Sequence, residues 1–248
     1  MPSANFAEGL TTVSLGSPDH GQALKQHSAY CEALTAAGVS LIRLAQDDRF
    51  PDSTFVEDTA VVTERGVVIA RPGATTRTGE VDSIRQILCD FFSTIRSIDY
   101  PGTLDGGDVC EAGDHFFIGI SKRTNESGAR QLAAFLAELD YSSSLIDIRE
   151  LSNILHLKSG LAFLGDRRLA VIDDLAKCDE FKDYEMIAVA SDEEYAANCV
   201  NINNRIFIAA GFPKFEKQLC GLGYETIALE MSEFRKMDAG LSCLSIRF

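Results

Sequence analysis

The chain has 248 residues, of which 46% are apolar and 24% are charged, proportions typical of a globular protein and not of a disordered one. Its formal net charge of −14 argues against a partner bound mainly through phosphate neutralisation and against docking on anionic lipid, and it favours a small cationic ligand. No apolar run approaches the roughly 18 residues needed to span a bilayer, and residues 1–16 lack a signal-peptide pattern. We therefore expect contact with neither nucleic acid nor membrane.

The seven cysteines are scattered, without a Cys-x-x-Cys pair. This spacing excludes a zinc knuckle and a thioredoxin-type motif. An odd number of scattered cysteines without a signal sequence is typical of the reducing cytoplasm, so we expect a cytoplasmic protein. Most of the cysteines are expected to be buried and inert, with one or two reactive at most.

Five segments share one pattern, in which a short apolar strand begins with polar residues and a turn leads to a second apolar strand. In chain order they are 55–70, 104–120, 155–172, 198–212 and 240–248. The first four have the turn residues of β-hairpins, such as Asn203-Asn204 and Gly165-Asp166. The last is short and lacks a second strand. A strand from the N-terminus could complete it, but few residues precede Phe6.

Apolar residues at three- and four-residue spacing predict helices between the hairpins. The predicted ranges are 20–37, 81–92, 128–139 with Asn125 as a possible cap, and a shorter helix over 214–222. No linker divides the chain. The sequence thus predicts one α/β domain over residues 1–248, built from five repeated units, and such repeats suggest closure into a ring.

Radial closure brings corresponding positions of the repeats together near one axis. His156 opens the third unit and Cys243 lies at the equivalent place in the fifth. Considered alone, His156 is explained equally well as a packed core histidine, and Cys243 is explained better as a buried, inert cysteine than as a nucleophile. Together with the acids that open the first two units, they would form a nucleophile, a general acid–base and a cradle for a cation.

The acids lie in two short motifs. Glu57 and Asp58 are consecutive, so on a strand they would point to opposite faces and would not share a role. Asp105 and Asp108 flank two glycines that permit close approach of a ligand, although Asp-Gly is also an ordinary turn signal. No phosphate-binding glycine motif is present.

Two arginines follow the ends of hairpins. Arg77 comes after the first and Arg123 after the second. Exposed arginines are usually solvated, but the guanidinium fork also suits a substrate carboxylate.

Seven short motifs occur in a fixed order along nearly the whole chain. They are Phe-Pro-Asp-Ser-Thr-Phe-Val-Glu-Asp-Thr-Ala-Val-Val at 50–62, Arg-Pro-Gly at 71–73, Leu-Asp-Gly-Gly-Asp-Val at 104–109, Ser-Lys-Arg-Thr-Asn at 121–125, Leu-His-Leu-Lys-Ser at 155–159, Ala-Asn-Cys at 197–199 and Leu-Ser-Cys at 241–243. This ordered set resembles the dimethylargininases (dimethylarginine dimethylaminohydrolases) of the guanidino-modifying, or pentein, superfamily. The resemblance implies a five-bladed α/β-propeller with a central active site, in which Nω-methylated arginines are hydrolysed to citrulline and a methylamine.

The resemblance also implies roles for individual residues. It makes Cys243 the nucleophile, His156 the general acid–base, and Asp105 the carboxylate that orients His156. The implied substrate-binding residues are Leu10, Asp52, Glu57, Asp58, Arg77, Arg123 and Met237. It implies no metal and no organic cofactor, a small cationic amino acid as substrate, and a monomer or a homodimer.

The chain departs from the family pattern in two places. The family has a strand ahead of the stretch 2–6, which residues 1–248 do not include, and a smaller apolar residue where Met237 stands. Four functions remain open at this point: dimethylargininase, arginine deiminase-like hydrolase, amidinotransferase, and a non-catalytic module that binds cationic amino acids. Chain length favours the first over the deiminase, and the joint presence of Cys243, His156 and Asp105 argues against the last.

Overall fold

Four three-stranded sheets form the framework of the protein, whose computed structural model describes residues 1–248. The first sheet contains β1 (Ala60–Thr63), β2 (Gly66–Ile69) and β3 (Ile95–Ser97); the second β4 (Val109–Ala112), β5 (His115–Ile120) and β6 (Ser142–Asp147); the third β7 (Leu161–Gly165), β8 (Arg168–Ile172) and β9 (Glu185–Val189); the fourth β10 (Val200–Ile202), β11 (Arg205–Ala209) and β12 (Glu225–Leu229). Each predicted hairpin of the first four units is present.

Every sheet has the same topology. The first two strands pair antiparallel as a hairpin, and the third pairs in parallel with the second, which therefore lies in the centre. The hairpin turns use residues that tolerate left-handed backbone, for example Asn203 and Asn204 with φ of 49° and 64°. The four third strands were not predicted, since their mixed burial gives neither a clean alternation nor a continuous apolar run.

Five helices accompany the sheets. They are α1 (His20–Ala36), α2 (Val81–Leu88), α3 (Glu126–Glu138), α4 (Pro213–Gly221) and α5 (Ser232–Arg235). Three of them, α2, α3 and α4, form the crossovers of the first, second and fourth sheets. The cap predicted at Asn125 is confirmed, because its side chain accepts a hydrogen bond from the Gly128 N–H group. The second helix ends at Leu88, four residues earlier than predicted, since the chain must turn there to place Ile95 beside β2. No helix is long and apolar enough to cross a membrane.

Five short 3-10 turns meet near the axis of the molecule, one at the start of each unit. They are Val56–Thr59, Gly106–Asp108, Leu157–Ser159, Glu194–Ala197 and Ser242–Leu244. The first four are neighbours in succession, and the fifth packs against the first. The predicted convergence of the unit openings is therefore confirmed. Glu57 and Asp58 lie on such a turn and not on a strand as predicted, because the chain bends into the axis before β1 begins.

The fifth unit forms no strand. After the turn at Ser242–Leu244 the chain is extended to Phe248, and residues 39–44 run nearby after α1. These two segments line a cavity of about 870 Å³, and the Met1 amino group donates to the Leu44 carbonyl oxygen at 3.4 Å at its edge. This unit therefore lacks the hairpin that the other four units have. The predicted fold class, a repeated α/β-propeller of pentein type, is confirmed with one incomplete blade.

An aromatic cluster joins the N-terminal residues to the start of the first unit and to α5. The rings of Phe6, Phe55 and Phe234 lie 5.7–6.4 Å apart, and all three side chains are buried. Their packing fixes three loops against one another, and these loops carry Leu10, Asp52 and Met237.

A substitution at Gly106 would test how closely the turns pack at the axis. A Cβ atom at this position would lie 2.0 Å from the Glu57 carbonyl oxygen. We expect Gly106→Ala to lower the free energy of unfolding by about 1–3 kcal/mol through overpacking, as measured by urea unfolding. Gly221→Ala is the control, because nothing lies within 4 Å of its Cβ position. Equal stability of the two variants would contradict the packing described here.

Candidate active site

A buried carboxylate–imidazole pair lies at the centre of the site. Asp105, fully buried, places Oδ2 3.1 Å from His156 Nε2 and accepts a hydrogen bond from the Gly73 N–H group through Oδ1 at 2.8 Å. Gly107 makes this approach possible, because a Cβ there would lie 2.7 Å from His156 Nδ1. The two glycines of the Asp-Gly-Gly-Asp motif thus allow other segments of the chain to come close, whereas the sequence analysis expected them to admit a ligand.

His156 is surrounded by negative charge. Burial alone would lower the pKa of the imidazole, but the carboxylates of Asp58, Asp108 and Asp105 outweigh it and raise the pKa to about 9. At neutral pH the ring therefore carries a proton and a positive charge. This protonation state suits a residue that must deliver a proton to a leaving group.

Asp58 lies beside the pair, and two groups donate hydrogen bonds to its carboxylate. Arg77 Nη1 donates to Oδ2 at 2.6 Å, and the Gly107 N–H group donates to Oδ1 at 2.9 Å. Burial would raise the pKa of Asp58, but His156 and Arg77 prevail and lower it. The carboxylate therefore stays charged at neutral pH and can attract a cation.

Arg77 is buried and has its guanidinium fully engaged. Besides Asp58 it donates to Glu80, at distances of 2.8–3.1 Å, and to the Phe55 carbonyl oxygen at 3.0 Å. These contacts connect the helical segment after the first hairpin to the axis. The sequence predicted Arg77 as a substrate-binding residue, and the structure places it as the counter-ion that supports Asp58.

Glu57 faces another direction from Asp58, as expected for consecutive side chains. Its carboxylate accepts hydrogen bonds from Lys158 Nζ at 2.7 Å, Ser242 Oγ at 2.6 Å and Arg247 Nη2 at 3.2 Å. A second cavity of about 390 Å³ borders this cluster. In the structure Glu57 therefore links the turns that carry His156 and Cys243.

Cys243 lies in the fifth turn and is half-buried. Its Sγ accepts a weak hydrogen bond from the Gly240 N–H group at 3.5 Å. Burial raises the pKa of the thiol, and Glu57 and Asp58 contribute to bring it to about 12. The ligand-free site at neutral pH thus combines a neutral thiol with a protonated imidazole.

The other six cysteines are also unpaired. Cys31, Cys110 and Cys199 are buried and Cys178 is half-buried, whereas Cys89 and Cys220 are exposed. The prediction that most of the seven cysteines are buried is therefore wrong, because only three are. The exposed Cys89 directly follows α2, and the exposed Cys220 lies in α4.

The three loops joined by the aromatic cluster form one wall. Asp52, buried, accepts hydrogen bonds from the Leu10 N–H group at 3.1 and 3.2 Å. The Met237 Sδ-methyl group and Asp52 Oδ1 both lie within 3.0 Å of the Cβ position of Gly9, so these residues are close neighbours. Burial raises the pKa of Asp52, and Arg77, the Leu10 N–H group and Arg123 oppose the rise. The structure therefore brings Leu10, Asp52 and Met237 together, as the resemblance implied.

Arg123 differs from Arg77 in having a free guanidinium. Its side chain is half-buried and makes no ion pair and no hydrogen bond, while its backbone packs on Gly73, whose Cβ would lie 2.2 Å from the Arg123 carbonyl oxygen. Its charge acts on Asp52. This arrangement leaves a fixed backbone with an available cation, suited to an anionic group of a ligand.

Sequence reasoning missed several residues that support the site. Asp108 was noted only as an acid, yet its carboxylate accepts from the Leu157 N–H group at 3.0 Å and from Ser121 Oγ at 2.6 Å, so it holds the His156 segment against the Arg123 loop. Burial raises the pKa of Asp108 to about 6. Asn198 and Ser242 were also missed as individual residues, although both lie within the motifs that carried the resemblance.

Asp58, Asp105 and His156 also have the spacing of a metal site, with ligand atoms within 4.8 Å of one another. Both carboxylates already accept hydrogen bonds from Arg77 or backbone N–H groups, and the imidazole is held in its protonated form. A metal ligand must instead be a neutral imidazole. The group therefore fits a proton-transfer site better than a metal site.

These features define a class of protein, because a propeller of hairpin–helix units with a cysteine and a carboxylate-bound histidine at its axis is the arrangement of guanidino-modifying enzymes. The family model for arginine deiminase matches residues 48–202. The N(G),N(G)-dimethylarginine dimethylaminohydrolase of Pseudomonas aeruginosa is 42% identical over the whole chain and 96% of its own length, and that of Streptomyces coelicolor is 35% identical over 99% and 94%. The chain belongs to the dimethylarginine dimethylaminohydrolase family.

Solved structures agree with this assignment. The Pseudomonas aeruginosa enzyme, as a cysteine-to-serine mutant complexed with citrulline, has a TM-score of 0.96 over 100% of this chain and 96% of its own. The N-terminal domain of a cyanobacterial arginine dihydrolase is 17% identical with a TM-score of 0.87, over 99% and 94% of the two chains, and this likeness concerns the fold alone.

The protonated state of His156 can be measured by NMR titration of its ring. We expect a midpoint near 9 in the ligand-free protein, with His27 as an internal reference near 4, because burial, the N-terminal ammonium and Arg43 lower its pKa. Asp105→Asn should lower the His156 midpoint, whereas Asp114→Asn, at an exposed site, should not.

The same shift affects stability. Folding raises the pKa of His156, so protonation of this residue contributes to the free energy of unfolding. That contribution is complete below about pH 6.5 and is lost as the pH rises through about 9. We therefore expect the difference in the free energy of unfolding between wild type and Asp105→Asn, measured by urea unfolding, to become smaller over this interval. A gap that is constant, or that widens with pH, would contradict the assigned protonation state.

Proposed function

We propose that this protein hydrolyses Nω-methylated arginines to citrulline and a methylamine. The observation that carries the proposal is the buried Asp105–His156 pair on the same axis as Cys243, in a chain 42% identical over its full length to an enzyme of that name. The substrate is a small cationic amino acid, in keeping with the acidic site and the net charge of −14.

The carboxylates bind the guanidinium in this proposal. Asp58 stays charged, Asp105 lies beside the reacting groups, and Asp52 lines the neighbouring wall. A guanidinium carbon is a poor electrophile because three nitrogens share its charge. Holding the ion rigidly next to Cys243 converts the attack into a nearly unimolecular step.

Cys243 is the proposed nucleophile. Because its thiol pKa is raised to about 12 in the ligand-free site, the bound cation supplies the positive charge that favours the thiolate. The thiolate forms a C–S bond to the guanidinium carbon. The protonated His156 then gives its proton to the departing methylamine nitrogen, the C–N bond breaks, and a covalent thiouronium remains.

His156 then acts in the opposite sense. It removes a proton from a water molecule, whose oxygen bonds to the thiouronium carbon. The C–S bond breaks and the remaining hydroxyl proton passes to solvent water, so that citrulline is released and the thiolate returns. Every step uses groups of the chain, the substrate and water.

Arg123 is the proposed partner of the substrate α-carboxylate, because its guanidinium is free whereas that of Arg77 is engaged by Asp58 and Glu80. Direct substrate contacts by Glu57 and Arg77 stay predictions, since both side chains have protein partners here. Leu10 and Met237 are proposed to line the entrance. A cytoplasmic location and a monomeric or homodimeric state also stay predictions.

Product analysis separates the alternatives. Dimethylarginine should yield citrulline and dimethylamine, whereas an arginine deiminase-like hydrolase would release ammonia from unmethylated arginine. An amidinotransferase would transfer the amidine to an added amine. Ligand binding without any product would indicate a non-catalytic binding module.

Replacing the proposed nucleophile tests the mechanism. Cys243→Ser should reduce turnover below a few per cent of wild type, because a serine hydroxyl offers no comparable anion, while substrate affinity remains. Citrulline formation and isothermal titration measure the two effects. Cys89→Ser and Cys220→Ser are matched controls at exposed positions and should retain activity. Full activity of Cys243→Ser would remove Cys243 from this role.

Replacing Arg123 tests how the amino acid is held. Arg123→Ala should weaken binding of the substrate about ten- to a hundredfold, the worth of a charge-assisted contact of roughly 1.5–3 kcal/mol. A methylated alkylguanidine, which lacks the carboxylate, should lose much less affinity. Lys122→Ala, at the exposed neighbouring position, is the control. Equal losses for both ligands would show that Arg123 supports the site instead of binding the carboxylate.

A further inference from the structure

Asn198 lies at the end of the fourth axial turn, and its buried side-chain amide uses all its polar atoms within the protein. Nδ2 donates to the Lys158 carbonyl oxygen at 2.9 Å and to Ser242 Oγ at 3.1 Å, and Oδ1 accepts from the Ser242 N–H group at 2.9 Å. One side chain therefore connects three of the five axial turns.

The contacts of Asn198 are made with residues that lie close to Cys243 and His156 in the sequence. Ser242 immediately precedes Cys243, and Lys158 follows His156 by two residues within one 3-10 turn. The fourth and fifth turns are joined by the Asn198–Ser242 hydrogen bonds, which close the ring of turns around the axis. The amide thus ties the segment of the sulfur to the segment of the imidazole.

Gly240 extends this connection to the sulfur itself. A Cβ at Gly240 would lie 2.4 Å from both Cγ and Oδ1 of Asn198, so the glycine backbone rests directly on the amide. The N–H group of the same glycine donates to Cys243 Sγ. The shape of the Asn198 side chain therefore sets where this donor points.

We infer that Asn198 is a positioning residue that fixes Cys243 relative to His156 through Ser242, Gly240 and Lys158. The inference rests on the proposed function, which assigns the reacting roles to Cys243 and His156. Asn198 contacts none of the carboxylates or arginines proposed to bind substrate. Its loss should therefore affect the chemical step more than binding.

Two variants test the inference. Asn198→Asp keeps the shape and the acceptor for the Ser242 N–H group but removes both donors, and Asn198→Ala removes all three contacts. Asn201→Ala is the matched control. It deletes another amide-to-carbonyl hydrogen bond, Nδ2 to the Leu164 oxygen at 2.7 Å, in the adjoining strand β10.

The first readout separates kcat from KM for citrulline formation. Both Asn198 variants should lose about ten- to a hundredfold in kcat, since small misplacements of reacting groups have effects of this size, with KM nearly unchanged. Asn201→Ala should keep the wild-type kcat. Unchanged kcat in the Asn198 variants, or parallel losses in kcat, KM and melting temperature for all three variants, would overturn the inference.

The second readout is independent of turnover. Iodoacetamide labelling of Cys243 is followed against pH by mass spectrometry in the ligand-free protein. Burial and the charges of Glu57 and Asp58 raise the thiol pKa, and Gly240 N–H and Lys158 oppose them. Displacing the Gly240 donor in Asn198→Ala should shift the labelling profile to higher pH, and an unchanged profile would contradict the inference. Asn198→Asp is excluded here because its own charge would raise the pKa.

The two readouts distinguish the inference from the proposed function. A shifted labelling profile in a protein whose wild type forms no citrulline would uphold the position of Cys243 and refute the hydrolase activity. If Asn198→Ala does not fold, the kcat and KM of the uncharged variant Asn198→Ser, whose side chain lacks the amide, decide the question.

Discussion

The structure depends on the pairing of charges buried at the axis. Asp58, Asp105 and Asp108 are all nearly or fully inaccessible to solvent, and an unpaired carboxylate there would cost several kcal/mol. Each accepts two or more hydrogen bonds from a neighbouring turn or loop, so the acids that serve the site also connect the units. His156 completes the arrangement, because its proton is retained only while these carboxylates surround it. Fold and chemistry therefore depend on the same contacts.

The repeat explains how much of this could be predicted. Turn residues and apolar runs are local signals. They correctly predicted the four hairpins and most of the residues at which the helices begin and end. The third strands escaped prediction because each pairs in parallel with a strand across a crossover, and nothing local specifies the partner. The convergence of Cys243, His156 and Asp105 followed from the equivalence of repeat positions. The roles of Asn198 and Glu57 did not, because a buried amide or carboxylate shows its partners only in three dimensions.

The two arginines illustrate the same limit. Both follow hairpins and both matched family motifs, yet Arg77 is enclosed by Asp58 and Glu80 while Arg123 is left without a partner. The difference depends on which acids the fold brings near, and sequence position alone does not reveal it. An arginine that is paired with two buried carboxylates fixes their geometry. If it moved away, both carboxylates would be left buried without a counter-ion, which is energetically costly. A free arginine on a fixed backbone can instead meet a ligand.

The protonation states of the ligand-free site give it selectivity for a cation. The thiol has a pKa near 12 and the imidazole has a pKa near 9, so both groups are protonated at neutral pH. The ligand-free site is therefore unreactive. Only Asp58 contributes to both shifts: with burial and Glu57 it raises the pKa of the Cys243 thiol, and with Asp105 and Asp108 it raises the pKa of the His156 imidazole. A bound guanidinium changes the balance by placing positive charge next to the thiol, where it favours the thiolate without removing the proton from His156. The acidic surroundings thus help to keep the Cys243 thiol protonated in the ligand-free site.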